Sequence, residues 1–243
     1  MTRTVWDDNF ADAVILAPLS VEKNNPDYDA GKAGNLDAAL RFVESILTVE
    51  RFERIEKIAS NAEVIVSIHA EEAQGTNRIP VAFAAIIGKS LDIAIDVNIV
   101  QSDRPLRSAG DGFYRLANQP SFNGEVQTGK AHLLVDDTIT QGGTLATLKG
   151  YIEQNGGRVV GIAALTGKQY SAKIALSNKA LSTLREKHSD LEQWWHTLFG
   201  YGFDGLTESE ARYLINADDA DTIRNRVLAA RQEAIRRISP SEG

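Results

Sequence analysis

Cysteine is absent from the 243-residue chain, which excludes disulfides, thiolate metal sites and cysteine nucleophiles. Basic residues are not in excess either: the chain has 26 Lys and Arg against 33 Asp and Glu, so its net charge is -7. This balance argues against a nucleic-acid-binding surface that covers the molecule.

Long apolar stretches are missing as well. No hydrophobic run is long enough to span a bilayer, and Asp7, Asp8 and Asp12 stand where a signal peptide would be basic and then apolar. We therefore expect a cytoplasmic protein. Hydrophobic residues still make up 43% of the chain, which is enough for the core of a globular protein.

The most informative stretch covers residues 132–144. It begins with an apolar run at 133–135, typical of a strand buried on both faces of a parallel sheet. We expect that strand to end at Asp136 and Asp137, and a polar loop with two glycines follows. Beyond the loop, apolar residues recur at helical spacing: Leu145, Leu148, Tyr151 and Ile152. The unit is therefore strand, acidic pair, small-residue loop and helix.

The loop is suited to bind a phosphate. Gly142 and Gly143 can adopt backbone angles closed to other residues, so successive N–H groups can turn towards one anion. Thr140 and Thr144 offer hydroxyls, and the following helix presents unpaired N–H groups and the positive end of its dipole. The adjoining carboxylates can accept hydrogen bonds from vicinal hydroxyls or hold a hydrated Mg2+. A ribose 5-phosphate presents both kinds of group.

Residues 133–144 resemble the phosphoribosyl pyrophosphate (PRPP) signature of the type I phosphoribosyltransferases, in which an apolar strand, two acids and a Thr-x-Gly-x-Thr loop follow in order. The resemblance implies that Asp136 and Asp137 are catalytic residues that hold the ribose hydroxyls and the cofactor Mg2+. It also implies a 5-phosphate site formed by Thr140, Gln141, Gly142, Gly143 and Thr144. The implied fold is α/β, with a central, mostly parallel sheet flanked by helices.

An apolar run that ends in two aspartates also occurs as the metal-binding strand of P-loop NTPases. Those proteins need a Gly-x-x-x-x-Gly-Lys-Ser/Thr loop. Here the spacing at 161–167 is one residue too long, and Lys168 is followed by Gln169. A purely structural strand, turn and helix would not need two adjacent acids plus paired glycines. We therefore interpret the stretch as a PRPP loop.

The family's pyrophosphate loop would lie between a strand predicted at 64–68 and a helix predicted at 81–89, with Pro80 in the helix's first turn. The resemblance places one group of residues near the leaving group, with the last as the catalytic cation: Gln74, Gly75, Thr76, Asn77 and Arg78. Glu71 and Glu72 depart from the pattern, since such a loop favours donors and cations. They could face solvent, help to hold Mg2+ or indicate another ligand, and an ordinary surface loop is the alternative.

A mobile flap follows in the family, and residues 101–124 carry the weak apolar periodicity expected of one. The resemblance makes its three arginines candidates to neutralise pyrophosphate: Arg104, Arg107 and Arg115. Phe113 and Tyr114 could stack on the base or pin the loop to the core. Lys168, after a strand predicted at 158–165, matches a base-binding lysine of purine-salvage members, or is a surface lysine.

We predict three parts: an N-terminal support or hood segment (1–60), a phosphoribosyltransferase-like core (61–170) and a C-terminal helical extension (171–243). Further predicted elements are a peripheral strand or support segment at 13–19, a helix at 36–49 that continues, with or without a break, through Phe52, Ile55 and Ile58, and a strand at 91–100. Thr207 and Glu210 form a plausible capping box. The extension could cap the active site, pack beneath the core or make a dimer interface.

The resemblance implies transfer of 5-phosphoribose from PRPP to a nitrogenous base, with release of pyrophosphate. Thr140 stands where hypoxanthine-guanine enzymes carry an acid that deprotonates the purine, so another acceptor is favoured, or one whose proton is removed elsewhere. The expected partners are PRPP and a small-molecule base, and the chain could also form a homodimer. The alternative is an inactive PRPP- or nucleotide-sensing regulator. A PRPP-forming kinase fits worse, because the sequence shows no separate ATP site.

Overall fold

The elements below come from a computed structural model that describes residues 3–23, 25–68, 71–72, 75–102 and 110–238. Its strands are β1 (Val14–Pro18), β2 (Val64–Ser67), β3 (Glu71–Glu72), β4 (Gly75–Thr76), β5 (Ala94–Asp96), β6 (Val100–Gln101), β7 (Phe122–Asn123), β8 (Ala131–Ile139) and β9 (Arg158–Gly167). Its helices are α1 (Pro26–Lys32), α2 (Leu36–Ile46), α3 (Val49–Ala59), α4 (Ile79–Leu91), α5 (Gly112–Ala117), α6 (Gly143–Gln154), α7 (Asn178–Lys187), α8 (Leu191–Phe199), α9 (Glu208–Ile215) and α10 (Ala220–Ile238).

Five of these strands form one parallel sheet in the order β1-β9-β8-β2-β5. Leu134 faces α6, whereas Leu133 and Val135 face the layer of α2, α3 and α4. The apolar run of β8 is therefore buried on both faces, as the sequence predicts. The expected fold class, a mostly parallel sheet flanked by helices, is confirmed. Because β8 is the middle strand, the residues at its carboxyl end lie at the centre of one sheet edge.

The strand β8 runs further than the sequence indicates. Pairing with β9 continues to Thr138 and Ile139, so Asp136 and Asp137 lie inside the strand and the prediction that it ends there is wrong. Thr138 opposes Thr166, and this pairing carries the ladder past the acids. The aspartates are consequently fixed by backbone hydrogen bonds on a rigid element.

Two other boundaries differ from the predictions. The helix predicted at 36–49 ends at residue 46, and Thr48 caps a separate helix by accepting from the Arg51 amide. The strand predicted at 91–100 is only β5, because α4 continues to residue 91 and ends at Asp92, whose φ is 54°. The predicted strand at 64–68 and the helix with Pro80 in its first turn are confirmed, and the 13–19 segment forms the edge strand β1.

The C-terminal region is helical, as predicted, and α5 packs with it around the buried Trp195. Thr207 and Glu210 form the expected capping box at the start of α9. None of the helices in the described residues combines the length and the apolar character that crossing a bilayer requires. The division into three parts stays a prediction.

Leu134→Ala should lower the free energy of unfolding by about 2–5 kcal/mol, because it leaves a cavity between the sheet and α6. Leu134 is 0% exposed, whereas Leu228 on α10 is 43% exposed. Leu228→Ala is thus a matched control that should change stability by less than about 0.5 kcal/mol. Urea unfolding followed by circular dichroism measures both, and equal losses would contradict the packing described here.

Candidate functional site

A cavity of about 270 Å³ lies at the carboxyl edge of the sheet, beside the loop between β8 and α6. All five residues predicted to bind a 5-phosphate line it together with Asp136 and Thr138. Leu145 of α6 also lines it, and the remaining lining residues come from elements distant in sequence: Tyr28, Lys32, Arg115 and Glu210. The structure thus brings the predicted phosphate loop and one of the predicted acids to the same cavity.

The carbonyl groups of the loop are bonded to side chains that do not line this cavity. Ser171 Oγ donates to the Thr140 oxygen at 2.5 Å, and Thr207 Oγ1 donates to the Gln141 oxygen at 2.6 Å. The Gly143 oxygen accepts from Arg3 Nη2 at 3.1 Å, and the Gly142 oxygen accepts from the Ala146 amide inside α6. Each carbonyl of the loop is therefore held by a named partner.

These bonds determine where the amides point. In a trans peptide the C=O and the next N–H point in opposite directions, and the described residues contain no cis peptide. The N–H groups of Gln141, Gly142 and Thr144 are thus directed away from Ser171, Thr207 and Arg3. Within the described residues the amides of 141–143 have no acceptor, and they stand at the N-terminus of α6. This arrangement can bind an anion through several backbone donors.

The two glycines of the loop are needed for different reasons. Gly142 has a φ of 78°, a left-handed conformation that disfavours any residue with a Cβ. Gly143 does not have positive φ; a Cβ there would overlap Glu210 Oε1 and approach Arg3 Nη2. The expectation that both glycines supply unusual backbone angles is wrong for Gly143, which instead allows a buried ion pair to come close.

The two aspartates have unequal surroundings. Asp137 does not line the cavity, and its Oδ2 accepts from Asn77 Nδ2 at 2.8 Å and from Lys32 Nζ at 3.0 Å. Burial alone would raise the pKa of Asp137, but Lys32 and Asn77 outweigh it and lower that pKa. Burial and the neighbouring Asp137 charge raise the pKa of Asp136 well above its usual value.

The donor set bears on the predicted Mg2+. Among the described residues there is no group of three or more His, Asp or Glu side chains that could hold a metal ion. Mg2+ is commonly bound through one or two carboxylates together with substrate phosphates and waters. Asp136 and Asp137 are two carboxylates and fit this kind of site, in which the substrate and waters supply the remaining oxygens.

The helix α1 contributes two residues to the site, Tyr28 and Lys32, that the sequence did not indicate. Lys32 pairs with Asp137, and its ammonium lies 5.9 Å from the centre of the Tyr28 ring, which also lines the cavity. Burial and the Asp137 charge raise the pKa of the Tyr28 hydroxyl, which therefore stays neutral. No local pattern could have indicated these residues, because their relation to β8 arises only when α1 packs over the sheet edge.

Of the other predicted site residues, some line the cavity and some do not. Arg115 lines it from α5, whereas Asn77 does not line it and donates to Asp137 instead. Arg78 is exposed at the start of α4 and does not line the cavity, and Gly75 and Thr76 form the short strand β4. Gln74, Arg104 and Arg107 lie outside the described residues, as do positions 103–109 of the predicted flap.

The two weaker base-site candidates do not line the cavity. Tyr114 is buried against the C-terminal helices, with the Arg237 guanidinium 4.9 Å from its ring centre. This position matches the alternative in which Phe113 and Tyr114 pin the loop to the core. Lys168 is exposed after β9, with its ammonium 5.8 Å from the centre of the Tyr170 ring.

Comparisons with known proteins give relatives longer than this chain. No protein-family model matches it. It is 37% identical to Protein TraN of Escherichia coli over 241 residues, which are 98% of this chain and 54% of TraN. It is 39% identical over 151 residues to an uncharacterized protein of Haemophilus influenzae, covering 62% of this chain and 34% of that protein. The chain thus spans about half and about a third of these relatives.

Solved structures with partial likeness include two phosphoribosyltransferases. Adenine phosphoribosyltransferase from Rhodothermus marinus is 19% identical with a TM-score of 0.36, covering 53% of this chain and 73% of that chain. Orotate phosphoribosyltransferase from Mycobacterium tuberculosis is 20% identical with a TM-score of 0.32, covering 57% of this chain and 65% of that chain.

Glu210→Gln should destabilise the protein by about 3–5 kcal/mol, because it leaves the Arg3 guanidinium buried without a counter-charge. Arg3 and Glu210 form a two-pronged ion pair whose side chains are 1% and 2% exposed. The Arg185–Glu192 pair also has two hydrogen bonds, from Nε and Nη2, but its side chains are 46% and 27% exposed, so Glu192→Gln should cost less than about 1 kcal/mol. Denaturant titration of both variants distinguishes the two cases, and a small effect at Glu210 would argue against a buried charge.

Proposed function

We propose that this chain is a Mg2+-dependent phosphoribosyltransferase that transfers 5-phosphoribose from PRPP to a nitrogenous base and releases pyrophosphate. One observation carries the proposal. The amides of residues 141, 142 and 144 point away from Ser171, Thr207 and Arg3, which do not line the cavity, and the loop that carries these amides lines the cavity together with Asp136. A ligand with a phosphate at one end and a diol next to it would satisfy both groups.

Positive charge near the loop supports phosphate binding in addition to the direction of the loop amides. The N-terminus of α6 adds the positive end of its dipole, and Thr140 and Thr144 line the cavity close to the same amides. Lys32 and Arg115 are the cations among the residues that line this cavity. A dianionic sugar phosphate would therefore meet donors on more than one side.

In this proposal the diol end is bound by the acidic pair. Asp136 lines the cavity, and Asp137 is held behind it by Lys32 and Asn77. Asp136 and Asp137 would hold Mg2+ together with oxygens of the substrate, and the ion would neutralise charge on the departing pyrophosphate. Asn77 binds Asp137, so the chain passes beside the acidic pair immediately before Arg78. In the proposal, Arg78 would meet the leaving group there.

Catalysis would rest on position and charge rather than on a protein nucleophile. As the bond between C1 and the pyrophosphate oxygen breaks, positive charge develops on the ribose, and a ring nitrogen of the base attacks that carbon. The residues around the cavity would hold the phosphate and the diol. This would fix the position of the reacting carbon without a covalent bond to the chain. A threonine at position 140 cannot remove the proton of the acceptor.

A regulator that binds PRPP or a nucleotide without turnover is the second candidate. It is favoured by the ion pair between Lys32 and Asp137, which already occupies one of the two carboxylates that Mg2+ and the diol would share. A cytoplasmic location and a homodimer belong to the proposal as well.

The test is pyrophosphate release from PRPP and Mg2+ across a panel of purine and pyrimidine bases, with PRPP binding measured in parallel by calorimetry. Release with one base supports the transferase. Binding of PRPP without release for any base would support the regulator, and absence of PRPP binding would refute both.

The double variant Asp136→Asn, Asp137→Asn should no longer bind PRPP, because it lacks both carboxylates. The fold should stay intact, because asparagine has the size and shape of aspartate and keeps one acceptor oxygen. Asp7→Asn with Asp8→Asn is the matched control, since those adjacent aspartates are exposed. Calorimetry gives the affinity and circular dichroism the fold. Unchanged affinity in the first variant would remove the site assignment.

Gly142→Ala should weaken PRPP binding at least tenfold, because relaxing the strained φ turns amides away from the phosphate and loses charge-assisted hydrogen bonds. Gly129 has the same φ of 78°, and a Cβ there would meet nothing within 4 Å. Gly129→Ala should therefore cost only the backbone strain, about 1–2 kcal/mol, with no loss of affinity. If both variants bind PRPP like the native chain, the loop is not the phosphate site.

A further inference from the structure

We propose that the C-terminal region positions the phosphate loop, and that Ser171 and Thr207, assisted by Arg3, are the positioning residues. The geometry that carries this is the set of hydrogen bonds they donate to the carbonyl oxygens of Thr140, Gln141 and Gly143. Only the identity of the ligand rests on the proposed function; the orientation of the loop does not.

Ser171 is a fixed donor. It is 2% exposed, and its Oγ lies 2.5 Å from the Thr140 oxygen and 3.0 Å from Ser209 Oγ. The turn that carries it is attached to the sheet, because the Ala13 amide before β1 donates to the Ala172 oxygen at 2.7 Å. The peptide between residues 140 and 141 is therefore held from the sheet side.

Thr207 is fixed by a different route. It is 0% exposed, and its Oγ1 accepts from the Glu210 amide at 3.1 Å as the N-cap of α9. A hydroxyl has one hydrogen, and that hydrogen is directed to the Gln141 oxygen at 2.6 Å. The capping box that begins α9 thus also fixes the peptide between residues 141 and 142.

Arg3 completes the set and connects it to the core. Its Nη2 donates to the Gly143 oxygen, its Nε donates to Thr147 Oγ1 on α6, and both of its Nη atoms bond Glu210 on α9. The guanidinium is rigid and planar, so these bonds fix the loop, α6 and α9 relative to one another.

The loop needs this support because the backbone of Gly142 does not by itself favour one orientation of the preceding peptide. A glycine adopts positive and negative φ about equally readily, so the peptide before Gly142 could turn over at small cost and direct its amide away from the cavity. The bond from Thr207 stabilises one of the two orientations. We infer that the helical extension is part of the anion site, because it selects the direction of the amides.

The test uses the ligand-free chain and inorganic phosphate as the probe. The variants are Ser171→Ala and Thr207→Val, with Thr207→Ser as the conservative rescue. Thr48 is an N-cap distant from the loop, so Thr48→Val controls for the lost cap. Ser45 donates to a backbone carbonyl within α2, so Ser45→Ala controls for a lost serine bond.

The readouts are the backbone amide shifts and hydrogen exchange of Gln141, Gly142 and Gly143, and phosphate affinity from the same NMR titration. We expect faster exchange, shifted resonances and about fivefold to tenfold weaker phosphate binding in Thr207→Val and Ser171→Ala, as for one lost hydrogen bond. Thr207→Ser and both controls should match the native chain.

Native amide shifts and native affinity in both variants would overturn the inference. Ser171→Ala leaves the cap of α9 intact and so stays informative should Thr207→Val fold poorly. If the native chain itself does not bind phosphate, the proposed function fails, whereas the amide shifts of the ligand-free variants still decide whether the tethers orient the loop.

Discussion

A peptide group cannot direct its carbonyl and its amide to the same side, and the candidate site depends on that constraint. Once the oxygens of Thr140, Gln141 and Gly143 are bonded to Ser171, Thr207 and Arg3, the amides that follow them must face the other way. The proposed anion site would therefore be built by satisfying acceptors. It would be formed before any ligand binds, so binding would not have to order the loop.

The second requirement is a buried negative charge that the fold can tolerate. Asp137 lies within a central strand, where an isolated carboxylate would be costly. Lys32 from α1 and Asn77 from the turn before α4 compensate it, which connects three distant segments of the chain through one carboxylate. The same compensation leaves Asp136 as the acid that faces the cavity, so two adjacent and identical residues have different roles.

The sequence predicts what depends on neighbours along the chain. The buried run of β8, the strand β2, the capping box at Thr207 and the glycine-rich loop were all indicated by short-range patterns. Contacts between distant segments were not: nothing near Lys32 indicates its pairing with Asp137, and nothing near Arg3 indicates Glu210. The end of β8 was misplaced because two acids are typical of a strand terminus, whereas pairing to β9 carried the strand past them.

Gly143 shows how a motif residue can be required for a reason other than its function. The signature suggests that both glycines shape the backbone for a phosphate, yet Gly143 is needed because the Arg3–Glu210 pair lies where its Cβ would be. That pair belongs to the N-terminal segment and to α9, so the composition of the loop is constrained by parts of the chain outside the signature. A chain that kept the loop and lost either of those parts would keep the motif without the support that orients it.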